Sequence, residues 1–183
     1  MGISAVGISA VGMTGWTTAL SIAVASCSAV LLGAGIAKLV EPAGTEEVLT
    51  SFGVSAPRVG ARALAIYEVA LGAATLAIAG PVLAAIVGVT YAAAAGVVLA
   101  ARRAGLGSCG CFGSRSPAPR VQHAIVNLVC AVVAGAGAVS GIVPISETFS
   151  GRSPVAAMAI VALTIATAGF LVVASTAAPR QRI

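Results

Sequence analysis

Apolar runs long enough to cross a bilayer dominate this chain, broken by short polar segments. A spanning helix needs about 20 mostly apolar residues. Five stretches reach that length, roughly 16–38, 60–80, 82–101, 120–143 and 154–176. The pattern predicts an all-α integral membrane protein with a four-helix transmembrane core over 16–143. An N-terminal extension (1–15) precedes the core, and a fifth span with a basic tail (144–183) is appended to it. Trp16 is placed to anchor the first helix at the interface. After that helix comes Glu41-Pro42-Ala43-Gly44-Thr45-Glu46-Glu47, where Thr45 is expected to cap a short surface helix ending near Phe52-Gly53. Gly80-Pro81 predicts a tight hairpin between the second and third spans, since proline is tolerated at a helix start. Residues 102–119 form the most polar loop of the core.

Composition strengthens this picture. Only 8% of the 183 residues are charged, against roughly 25% in a soluble domain, so a water-exposed surface could not be covered. Mean hydropathy is +1.09. Runs such as Ala92-Ala93-Ala94-Ala95-Gly96 suit close helix packing in lipid. The segment Gly-Ile-Ser-Ala-Val occurs twice, at Gly2–Val6 and Gly7–Val11, and reads as a local duplication or as an extension upstream of a start at Met13. No basic region precedes the first apolar run, so no removed signal peptide is expected.

The net charge of +5 does not point to nucleic acid, because the basic residues follow span ends and lack interleaved aromatics. With five spans, Lys38, Arg58, Arg62, Arg102, Arg103, Arg115, Arg120, Arg180 and Arg182 share one face, and Arg152 alone takes the other. The positive-inside rule then puts the 102–119 loop in the cytoplasm.

That loop carries Ser108-Cys109-Gly110-Cys111-Phe112-Gly113. Gly110 permits a turn tight enough to bring the two sulfurs together, and a disulfide closing so small a ring is strained and oxidising. The neighbouring Arg102, Arg103 and Arg115 are expected to lower a thiol pKa. Two thiols one residue apart suit redox exchange or a soft metal such as Cu(I), and equally two small residues packing a re-entrant turn. The loops after the first and third spans must lie on one face, which gathers further groups there. Lys38 ends the first span, Glu68 lies about 9 Å of helix rise beyond Arg62, and His123 opens the fourth. An acid inside a span is costly and marks either a function or a buried pair. Lys38, Arg62 and His123 are the candidate partners of Glu68. His123 could act as a base toward a thiol or anchor a helix end. Asn127, four residues on, is expected to make an interhelical hydrogen bond. Cys27 and Cys130 fall near mid-bilayer, where a thiol behaves as a small hydrophobe.

Cys109-Gly110-Cys111-Phe112-Gly113 between the third and fourth spans resembles the signature of the methylamine-utilisation MauE family, within the DoxX-like membrane proteins. Gly33-Ala34-Gly35-Ile36-Ala37-Lys38-Leu39 with Pro42, Phe52-Gly53, Glu68 and Asn127 are similar to family features as well, over roughly residues 25–140. Val126 stands where relatives often carry arginine, so no role of that arginine transfers. The resemblance implies a multi-pass protein of the bacterial inner membrane that supports maturation of disulfide-containing proteins, as for methylamine dehydrogenase in the namesake system. It also implies a thioredoxin-like partner, and it would set the cysteine loop outside, against the charge count.

The leading expectation is therefore a thiol–disulfide oxidoreductase component. Cys109, Cys111, Glu68 and His123 carry its chemistry, while Lys38, Gly110, Phe112, Gly113 and Asn127 support them. A quinone is one option for the electron acceptor. The alternatives are a soft-metal or small-molecule binding or transport module, and a non-catalytic membrane assembly subunit.

Overall fold

In the computed structural model the described residues are 5–116, 118–149, 158, 161–162 and 164–169. They form α1 (Ala5–Val40), α2 (Ala43–Ser51), α3 (Pro57–Ala77), α4 (Pro81–Arg103), a 3-10 turn (Gly113–Arg115), α5 (Val121–Ser140) and α6 (Ile145–Phe149). Four of these helices are long and apolar enough to cross a membrane: α1 over Gly15–Val40, α3, α4 and α5. The 21 residues of α3 rise about 32 Å, enough for the hydrocarbon core. α1 starts at Ala5, so the stretch expected as an extension is helical from that residue. Most of the expected fifth span, with the basic tail and Arg152, lies outside the described residues. Its described part at 164–169 is helical and rests on α1, where Ser26 Oγ lies 3.4 Å from the Thr164 carbonyl oxygen.

Pro81 opens α4 immediately after Gly80, as the sequence predicts. The two helices of this hairpin nevertheless pack mainly against others. α1 lies along α3 and α4 along α5, while α3 and α4 meet over little of their length. Small residues set the α1–α3 contact. A methyl group on Gly35 or Gly72 would run into backbone of the facing helix, so the two helices sit as close as their backbones allow. The pairs join through a central cluster of Cys27, Leu31, Leu71, Val87, Tyr91, Cys130 and Ala134. Tyr91 crosses it and donates from its hydroxyl to the Cys27 carbonyl oxygen at 2.7 Å, which satisfies a polar group that lipid could not.

α2 differs from its expected form. Pro42, not Thr45, occupies the N-cap position, and no side chain caps the helix. Thr45 is buried within α2 and donates to the Gly110 carbonyl oxygen at 2.8 Å. It is therefore a tie between α2 and the cysteine loop. The C-terminal end is as expected, with Phe52 at the C-cap and Gly53 at φ +79°.

Candidate functional site

The cysteine loop folds down onto the ends of α1 and α2 instead of projecting into solvent. Gly113 (φ +60°) lies against the Glu41 carbonyl so closely that any Cβ there would collide with it. The chain then returns its own bond, Ser114 N–H to Glu41 O at 3.0 Å. Gly110 (φ +67°) faces Thr45 and Val48 with no room to spare. Both positions need the left-handed region and the missing side chain together. Inside the loop, the Ser108 hydroxyl accepts from Gly110 N–H (3.1 Å) and the Ser116 hydroxyl from Phe112 N–H (2.7 Å).

This fold sets the two thiols side by side. The Cys111 thiol lies 3.6 Å from the Cys109 carbonyl oxygen and hydrogen-bonds to the Cys109 sulfur. That bond, chiefly, brings Cys109 down to about 6. Burial opposes the shift, and the Cys111 N–H and the Ser116 hydroxyl add to it. Cys111 gives the hydrogen bond and is itself buried, so it is held well above the usual thiol value. The expected cause was the nearby arginines. Arg102 and Arg103 are exposed and take no part; the sulfur–sulfur contact does the work instead. The pair is divided in access as well, with Cys109 2% exposed and Cys111 half-buried.

Beneath the loop sits a buried ion pair. Lys38 Nζ donates to both oxygens of Glu68, at 2.9 and 2.7 Å, and to the Cys111 carbonyl oxygen at 2.6 Å. All three ammonium protons are thus placed, which is what a charge at membrane depth requires. Of the three partners expected for Glu68, Lys38 is the one found. Arg62 points outward, and His123 makes no bond to Glu68. Glu68 therefore reaches the thiols only through Lys38.

His123, Asn127 and Cys130 descend one stripe of α5, and all three line a cavity of about 340 Å³ together with Lys38, Glu68, Cys109 and Cys111. The carboxylate, ammonium, imidazole, amide and thiols expected at one end of the bundle are therefore gathered around one space. Asn127 lines it too, and among the described residues it makes no interhelical hydrogen bond of the kind expected. His123 is 3% exposed, and neither ring nitrogen has a partner among the described residues. Among those residues no three His, Cys, Asp or Glu side chains converge as a metal cage.

The family model described as methylamine utilisation protein MauE matches residues 14–140. The chain belongs to the MauE family. The match covers all four described spans, α2 and the cysteine loop, so this is a multi-pass membrane protein of MauE type. No curated protein and no solved structure matches it.

Several features of this MauE site escape sequence reasoning. Tyr91, Ser116 and the tie from Thr45 each act across distant segments, and none carries a local motif. Cys27 and Cys130 prove to be neighbours in the central cluster, although they are 103 positions apart in the chain. Only the coincidence of depth in two spans hinted at that.

Proposed function

We propose that this MauE protein is the membrane component of a thiol–disulfide exchange system of the bacterial inner membrane. Its loop pair would exchange with a thioredoxin-like protein that serves a disulfide-containing client. The observation that carries this reading is the asymmetric thiol pair. One sulfur is held as thiolate near neutral pH, and its neighbour, on the less buried of the two residues, is protonated.

The chemistry follows from that asymmetry. With the pair oxidised, a partner thiolate attacks the sulfur of Cys111, the less buried residue of the two. The Cys109–Cys111 bond breaks and Cys109 leaves as thiolate, favoured because a low-pKa thiol is the better leaving group. The partner's second thiol then attacks its own sulfur in the mixed disulfide and releases Cys111, which takes a proton. The partner has lost two electrons and the loop pair has gained them. Lys38 and Glu68 are positioning residues here: they fix the Cys111 backbone.

Oxidised protein in lipid nanodiscs, mixed with a thioredoxin-like protein reduced to its single attacking cysteine, tests this. The expected product is a mixed disulfide at Cys111 with Cys109 released as a countable thiol, and none in Cys111→Ser. Absence of any adduct with the wild-type chain would overturn the reading.

A further inference from the structure

The cavity beneath the loop is not sealed by protein on all sides. Its walls include Tyr67 on α3 with Val89 and Ala93 on α4, and each of these is exposed on the membrane-facing surface as well. The reason is the sparse α3–α4 contact. Within the gap, the Tyr67 hydroxyl and Thr90 hydroxyl bridge the helices at 2.7 Å. Where its wall is this thin and apolar the space borders lipid, and solutes of the bilayer are at hand to enter it.

Three properties define what enters. The cavity, about 340 Å³, is of the size that holds a small-molecule ring; ligand sites run from roughly 300 Å³ upward. Its walls are predominantly apolar. At the end beneath the thiols, His123 presents two buried ring nitrogens without partners, and a buried polar group in that state calls for a ligand that supplies one. A neutral imidazole offers one N–H donor and one acceptor. A ring carbonyl accepts from that donor, and its reduced hydroxyl form donates to that acceptor.

We propose that the cavity takes a lipid-soluble quinone from the bilayer through the α3–α4 gap and that this quinone oxidises the Cys109–Cys111 dithiol. His123 would hold the ring oxygen. The inference rests on the thiol-exchange reading and supplies its missing acceptor. The step balances: the Cys111 S–H bond breaks and the Cys109 thiolate closes the S–S bond, two electrons and the Cys111 proton pass to the quinone, and a second proton from water completes the quinol. Both thiols line the cavity, so a ring held there lies next to the pair it would oxidise.

The test uses the full chain in nanodiscs with the loop pair reduced, under anaerobic conditions, with ubiquinone-1 as probe. Quinone loss is followed by absorbance and thiols by alkylation and mass spectrometry. The expected result is one quinol per Cys109–Cys111 disulfide formed, none in Cys109→Ser, and at least a tenfold lower rate in His123→Phe. Because His123→Phe could misfold, an azidoquinone is photo-cross-linked to the wild-type chain in parallel, and labels are expected in peptides spanning Tyr67 and Val89–Ala93. A wild-type chain that exchanges with the thioredoxin-like protein but forms no quinol, or labels elsewhere, overturns this inference and leaves the exchange reading standing. Failure of both reactions removes both.

Discussion

Cys109–Cys111 and Cys27–Cys130 are each a pair of neighbouring thiols, yet their settings differ in everything else. The first pair sits on a turn, one residue apart, with backbone held by Thr45, Lys38 and Ser114. The second bridges α1 and α5 inside the central apolar cluster, both residues buried. Contact between sulfurs is therefore a poor criterion of redox function in a membrane. What distinguishes the loop pair is that one of its members, Cys111, is only half-buried, whereas Cys27 and Cys130 are both buried.

The comparison breaks most sharply under substitution of the loop. Cys109→Ser or Cys111→Ser should abolish turnover with a thioredoxin-like partner, measured as disulfide transfer in nanodiscs. Cys27→Ala with Cys130→Ala should leave that rate within about twofold. The next largest effect belongs to the ion pair beneath the loop. Lys38→Met strands the Glu68 charge and should lower stability by about 3–5 kcal/mol, read as a shift in detergent-induced unfolding. Adding Glu68→Leu should recover most of that loss, since replacing both partners leaves no charge uncompensated.

A pH series sharpens the comparison further. Cys109 ionises at about 6, so its alkylation should be half-maximal near that pH and level off above it. Its thiolate-stabilising contacts favour the fold in full above the ordinary thiol value of roughly 8.5, and that stability is lost progressively as pH falls through about 6. In Cys111→Ala the leading contact is gone, and the midpoint should climb toward the ordinary thiol range of roughly 8.5. Smallest is Thr45→Val, which deletes one buried hydrogen bond to the loop and should cost about 1 kcal/mol, visible as faster loop amide exchange.

Much of this architecture is readable from the chain because a bilayer imposes length and apolarity on each span. The four helices, the Gly80-Pro81 turn and the Lys38–Glu68 partnership follow from those demands. The site is legible in content but not in wiring. Cys109 and Cys111 announce themselves by spacing, yet the cause of the Cys109 shift lies in thiol orientation, which spacing does not encode. Thr45 carries a capping residue's identity at a helix start, and only the approach of Gly110 from 65 positions away turns it into a tie. The lateral gap is least legible, because a tight hairpin normally implies neighbouring helices. Here the small faces of α1 and α5 draw α3 and α4 apart.

The third proton of Lys38 has a consequence for the loop. Any outward swing of the loop that carries Cys111 toward a partner must first release its carbonyl from an ammonium that stays behind with Glu68. A hydrogen bond to a charged group is worth about 1.5–3 kcal/mol, so the loop spends roughly ten- to a hundredfold less of its time open than an untethered loop would. The membrane-buried ion pair acts as a latch, and the resting position of the cysteine loop is held from inside the bilayer.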